Sequence, residues 1–228
     1  MKIFTNIKQD SVRVPAKNFK DFGGVPLYEH TLRKFRDFQF YVDTDSDEII
    51  ENCNTNPALS HVTAYKRLDL HKNMENPGIL MTQSFLDLHV EDEDEIICVV
   101  HVTCPFIEVD TVHKCRSAMI HADFDSACTV NVIRNFCLRK SYHDGNEVKY
   151  VPLNFDFRHI PRTQDLEPVY ELNHGIFMFT KRSMRKYDNR IGANPYFCET
   201  KFPENVDIDL PHDFDMALHI LESVQSES

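Results

Sequence analysis

The sequence predicts an α/β protein with a largely parallel sheet, and three features carry that prediction. Short β-branched and aromatic runs alternate with amphipathic stretches at the spacing of strand and helix units. Residues 95–102, EIICVVHV, are the most hydrophobic run of the chain, as a parallel strand buried on both faces requires. Prolines and acidic clusters stand where helices should begin.

Taken in order, an apolar start supplies the first strand, and PLYEHTLRKFR (26–36) follows as a helix with proline at N1 and a repeating face of Leu27, Tyr28, Thr31, Leu32 and Phe35. FQFYV (38–42) reads as a strand, and its exit DTDSDE supplies acids for the first turn of a helix over about 46–54. HVTAY (61–65) is a strand, 77–90 a helix opened by Pro77, 95–102 the central strand, 109–121 a helix and ACTVNVI (127–133) a strand. Between 134 and 166 the pattern breaks into polar, aromatic and Gly/Asn segments, read as a hairpin-like excursion and a candidate dimerisation flap. GIFMFT (175–180) resumes the sheet, VDIDL (206–210) is expected as a last strand, and 211–224 closes as a helix before the polar tail QSES.

A chain of 228 residues, 42% hydrophobic, has material for one domain with a substantial core. Asp and Glu outnumber Lys and Arg by 36 to 25, and the net charge of -11 disfavours nucleic acid. Seven cysteines without a CxxC pair suit a reducing compartment. No run reaches the roughly 20 apolar residues of a membrane span, and no signal peptide is evident, so the expected location is cytoplasmic and away from membranes.

Ligands of open α/β sheets bind beyond the carboxyl ends of the strands, so the loops there should converge. After the first strand come Lys8, Ser11, Arg13, Lys17 and Asn18, a basic cluster in an otherwise acidic chain. Cations and backbone N–H groups are what a polyphosphate needs, although no GxxxxGK[ST] loop is present. A solvated basic face is the alternative. Gly23 and Gly24 read as a turn. Asp207 and Asp209, at i and i+2 of the expected last strand, can direct two carboxylates to one hard cation, or else simply face solvent or cap the final helix. Asp43-Thr44-Asp45 offers a second acidic pair, or ordinary helix-entry acids. His101 and Cys104 lack a third orienting group, so a cysteine nucleophile is disfavoured, and the twelve histidines show no zinc spacing.

In order along the chain, these segments resemble the acylneuraminate cytidylyltransferase family. Ser11, Arg13, Pro15, Lys17 and Asn18 match its S-x-R-x-P-x-K-N signature, followed by a glycine turn and Pro26-Leu27. YVDTDSDEI is similar to V-S-T-D-S-E-E-I, VVHVTCPF to L-L-Q-P-T-S-P-L, and IPRTQDLEPVYELNHGIFMF to R-x-Q-D-L-P-P leading into N-G-A-I-Y-I. NVDIDLPHDFDMA is similar to S-I-D-I-D-T-P-E-D-L.

The resemblance implies a Rossmann-like nucleotidyltransferase three-layer sandwich, a single domain over 1–228 with an inserted dimerisation segment at 134–166, and a homodimer. It implies Mg²⁺-dependent transfer of CMP from CTP to a 3-deoxy-2-keto sugar acid, with release of pyrophosphate. Lys17, Arg13 and Asp209 would then carry the chemistry, with Lys8, Ser11, Asn18 and Asp45 also at the nucleotide. Asp207 and Asp209 would hold the metal, and Arg67, His101, Thr103, Arg162, Gln164 and Asn173 would face the sugar acid. Lys8 stands where the family has arginine and His101 where it has glutamine, while its N-G-A reads Asn173, His174, Gly175. Two rivals remain: a glycosyltransferase of related fold using Asp43 and Asp45 for its metal, and a non-catalytic nucleotide-binding relative.

Overall fold

The structure is a computed structural model describing residues 1–71, 77–143 and 147–226, so the last two residues of the polar tail lie outside it. In chain order the elements are β1 (Lys2–Ile7), α1 (Leu27–Lys34), β2 (Gln39–Thr44), α2 (Asp47–Thr55), β3 (Val62–Lys66), α3 (Pro77–His89), β4 (Ile96–Val100) and α4 (Val109–His121). There follow β5 (Ser126–Ile133), β6 (Leu138–His143), β7 (Glu147–Pro152), β8 (Val169–Thr180), α5 (Lys181–Tyr187), β9 (Pro195–Glu199) and α6 (Pro211–Ser226).

Among the described residues, a seven-stranded sheet is ordered β3-β2-β1-β4-β8-β5-β9, and β6 and β7 pair separately as a hairpin. The pairs β1/β2, β1/β4, β2/β3 and β5/β9 are parallel, while β8 runs antiparallel to β4 and β5. The alternating α/β reading is thus borne out, with β4 central, and the 134–166 excursion contains a hairpin. Three expectations are corrected. VDIDL forms no strand; it is an extended segment held by Ile208 N–H on the Thr103 carbonyl at 2.8 Å. PYFCE, given no element in the sequence reading, forms the edge strand β9. Pro26 is the N-cap of α1 with extended backbone, not its first helical residue.

Alternation along the strands sends side chains to two opposite faces, which makes three layers. Ile3, Phe40, Val42, Cys98 and Val100 pack against Tyr28 and Leu32 of α1, Ile49 of α2 and Val112 of α4. Phe4, Tyr41, Ile97 and Val99 pack on the other face against Met81 and Phe85 of α3 and Met184 of α5. There Phe4 and Phe85 stack with ring centroids 4.5 Å apart. A third cluster joins Phe22 and Phe106 to Val206, Ile208 and Phe214, fastening the C-terminal segment beside the loops that leave β1 and β4. Among the described residues no helix is long and apolar enough to cross a membrane.

Candidate active site

The loop leaving β1 is shaped by its own backbone. Ala16 adopts left-handed φ of 51°, Lys17 N–H reaches the Val14 carbonyl at 3.1 Å, and a short 3-10 turn covers Lys17–Phe19. Asn18 Nδ2 donates to the Lys8 carbonyl at 2.8 Å, tying the two ends of the basic stretch together. Gly23 and Gly24 both have positive φ, as the turn before α1 requires, with Phe22 N–H on the Val25 carbonyl at 2.7 Å.

This loop faces the segment between β9 and α6. Lys17, buried, donates its Nζ to the Ile208 carbonyl, and Arg13 makes a paired contact with the two Asp209 oxygens at 2.9 and 3.0 Å. Ile208 points into the third core cluster, so Asp207 and Asp209 turn the other way, into a cavity of about 430 Å³. The i, i+2 geometry expected of a strand therefore survives in an unpaired extended chain. Burial lowers the Lys17 pKa from its ordinary value, and the charges of Asp209 and Asp207 pull it back.

Lys8, Ser11, Arg13, Lys17 and Asn18 all line this cavity, opposite Asp207 and Asp209. Its inner wall is His101 and Thr103 from the end of β4, joined by Asn6 from β1 and His174 from β8. Three lining atoms are buried without a hydrogen-bond partner: Asn18 Oδ1, His101 Nε2 and Asp207 Oδ1. Buried polar atoms normally find partners, so these orphans mark places for a ligand. An unsatisfied carboxylate oxygen on Asp207 beside Asp209 suits a hard divalent cation with oxygen ligands, so the donor set fits Mg²⁺. Among the described residues no cluster of three or more metal-ligating side chains exists, so water or phosphate oxygens would complete such a shell.

Burial, aided by the positive charges of Arg190 and neighbouring groups, pushes His101 down to about 3, so its ring is neutral near pH 7. Burial and the adjacent Asp207 raise the Cys104 thiol well above its ordinary value, which makes it a poor nucleophile.

Other expected site residues lie elsewhere. Arg67 is buried with its Nε on Asp43 Oδ1 at 2.5 Å and its Nη2 on the Ile7 and Asp43 carbonyls at 3.1 and 3.2 Å, outside the cavity. Asp45 accepts from Gln9 N–H at 2.7 Å and thus braces the start of the basic loop. Arg162 is exposed and paired with Asp165 at 2.7 Å, and Gln164 sits exposed in the same turn. Asn173 is buried: its amide nitrogen donates to Asn131 Oδ1 at 2.8 Å and Thr200 Oγ1 at 2.9 Å, while its oxygen accepts from the Thr129 hydroxyl and Gly175 N–H. Asn6, Asp10 and His174 line the cavity without having been singled out. The signal available for Asn6 was its place at the carboxyl end of β1; for His174 it was the departure from the family's N-G-A, which was not read as a site because the strand was expected to begin one residue later.

A cationic loop at the carboxyl end of a largely parallel sheet thus faces a carboxylate pair across one cleft. The match to a family described as Cytidylyltransferase runs over residues 8–226, and the chain belongs to that family. It is 27% identical over 209 residues to N-acylneuraminate cytidylyltransferase of Oncorhynchus mykiss, and 25% identical over 203 residues to N-acylneuraminate cytidylyltransferase B of Danio rerio. Those alignments take in 90% and 86% of this chain but 46% of each relative, so the chain spans about half their length. Among solved structures, CMP:2-keto-3-deoxy-manno-octonic acid synthetase complexed with CTP shares the fold with a TM-score of 0.66 at 15% identity, covering 97% of this chain and 98% of that one. A 4-diphosphocytidyl-2C-methyl-D-erythritol synthase from Anaerococcus prevotii gives 0.63 at 14% identity, covering 96% and 98%.

Proposed function

We propose that this chain transfers CMP from CTP to a 3-deoxy-2-keto sugar acid and releases pyrophosphate, with Mg²⁺ held by Asp207 and Asp209. The observation that carries the reading is one cleft in which Lys17 and Arg13 meet those two carboxylates. The relatives named for N-acylneuraminate and the neighbour complexed with CTP support it.

The chemistry asks for positioning and charge more than covalent help. The acceptor hydroxyl forms a new bond to the α-phosphorus as the bond to pyrophosphate breaks. Lys17, Arg13 and Lys8 would bind the triphosphate oxygens and offset the charge that moves onto the leaving group. Lys17 does so from a fixed position, since its turn is braced by Asn18 and Ala16. Bound at the carboxylates, Mg²⁺ would polarise phosphoryl oxygens. Arg13 pairs with Asp209, so nucleotide and metal bound at these two residues would exchange that ion pair.

The test is pyrophosphate release by the purified chain with Mg²⁺, CTP and a panel of keto sugar acids, in wild type and in Asp209→Ala. Release in the wild type, lost in the variant, supports the reading. CTP binding with no release for any acid would leave a non-catalytic nucleotide binder. The glycosyltransferase alternative predicts heavier damage from Asp45→Ala, yet Asp43 and Asp45 are engaged by Arg67 and Gln9 outside the cavity.

The chain is also proposed to form a homodimer through 134–166. Support comes from the exposed apolar side chains of that region, among them Leu138, Tyr150, Phe157 and Ile160. A mass measurement in solution that finds only monomer at micromolar concentration would remove that proposal.

A further inference from the structure

His174 reaches the cavity because β8 is distorted there. Between the pairs Cys128↔Phe177 and Val130↔Leu172, one residue of β5, Thr129, faces four residues of β8, 173–176. Such bulges re-aim side chains beside functional sites. This one is clamped from below. The Asn173 amide has every donor and acceptor position filled, Gly175 N–H donates back to it at 3.1 Å, and Ile176 N–H donates to Thr129 Oγ1 at 3.0 Å. Gly175 leaves no room for a side chain: an added Cβ would stand 2.5 Å from Ile107 Cδ1 and 2.9 Å from Thr129 Oγ1. With Asn173 turned into the core and Gly175 bare, the side chain that the bulge offers to the cavity is the exposed imidazole of His174.

That imidazole does not stand alone. Its ring lies 5.7 Å from His101 and 6.2 Å from Phe177, and His101 lies 6.3 Å from Phe177, so three rings form one wall. His101 carries the unpartnered Nε2 on the same wall. The cationic loop and the acidic pair occupy the opposite sides of the cavity and are accounted for by phosphate and metal. The histidine wall, beside Asn6 and Thr103, is polar lining of the same cavity that neither of those two roles uses.

We propose that His174 is a specificity-determining residue of the acceptor subsite, presented by the clamped bulge so that its ring, together with His101, hydrogen-bonds an oxygen of the keto sugar acid and limits its size. This rests on the cytidylyl-transfer reading above. A neutral His101 suits a hydroxyl or carboxylate oxygen approached through a ring N–H, without adding a second buried charge.

The experiment compares wild type, His174→Ala and His174→Gln with Mg²⁺ and CTP, using N-acetylneuraminic acid and 2-keto-3-deoxy-manno-octonic acid as acceptors. Loss of one useful hydrogen bond corresponds to roughly tenfold in affinity. The expected result for His174→Ala is an acceptor KM raised by about that factor, with kcat and the KM for CTP within about twofold and the preference between the two acids altered. His174→Gln should recover part of the loss, and both variants should melt at the wild-type temperature because the ring is exposed. An unchanged acceptor KM, or an equal rise in the KM for CTP, overturns the proposal. If the wild type turns over neither acid, the function reading is judged on the wider panel of keto sugar acids. The inference is then read from the NMR signal of the His174 ring, identified by its loss in His174→Ala, while each acid is titrated into the CTP- and Mg²⁺-containing protein. A shift of that signal supports the subsite, and no shift with either acid sinks it.

Discussion

Arg67 carries a full charge into the interior and meets a buried carboxylate there, with both side chains almost inaccessible to water. Burial raises Asp43 above its ordinary pKa while Arg67 opposes that rise, so the pair is viable only as a pair. Replacing Arg67 with alanine should cost about 3–5 kcal/mol of stability, because it strands the Asp43 carboxylate, and denaturant unfolding measures it. The variant should keep the acceptor KM of the wild type if it folds, since Arg67 lies outside the cleft. His101 and His30 behave oppositely to a stabilised histidine. Burial lowers them to about 3 and about 4 from 6.5, so the unfolded chain takes up protons first as pH falls. Stability therefore rises with pH across the window from about 4 to 6.5 and is fully present above it. Denaturation midpoints should fall between pH 7 and 5, and His101→Gln should flatten that slope; an unchanged slope would show that folding does not lower the His101 pKa.

At the scale of elements, the bulge in β8 and the turn after β1 do comparable things by different means. The turn uses a left-handed Ala16 and the Asn18 cross-link to place Lys17; the bulge uses a saturated amide and a bare glycine to place His174. Gly175→Ala should push Ile107 and Thr129 aside, lowering the melting temperature and raising the acceptor KM together, whereas His174→Ala should raise the KM alone. Measuring both quantities in both variants separates the device from the group it carries.

Across the whole molecule, the site joins the two ends of the sequence. Arg13 and Asp209 are 196 residues apart in sequence, and their contact joins the loop after β1 to the segment before α6 in the lining of the cavity. An exposed ion pair of this kind contributes little by itself. Its consequence is linkage: a cation on Asp209 frees Arg13 for phosphate, and phosphate on Arg13 frees Asp209 for the cation. CTP with Mg²⁺ should raise the melting temperature by more than the sum of the rises from each alone, and chelation should remove most of that gain. In Asp209→Asn the excess should vanish while CTP alone still stabilises the protein. A purely additive shift in the wild type would count against the exchange.

Periodicity and composition were enough to mark the alternating strands and helices, the buried β4 and the glycine turn; they offered the basic loop and the paired acids as candidates, each with a solvated face as the alternative, and the family resemblance joined them into one site. Each of those depends on residues near one another in sequence, where side-chain period and turn chemistry act directly. The VDIDL segment shows the boundary: its two-residue alternation was visible, but whether it found a strand partner depended on what lay beside it, and it was Thr103 with the third core cluster that held it. Likewise the types of Arg67 and Asn173 suited a ligand, yet buried partners from distant strands consumed their hydrogen bonds, while His174 was brought to the cleft by a bulge. Which polar groups are spent on the fold and which are left for chemistry is an outcome of long-range pairing, and only the folded chain brings those partners together.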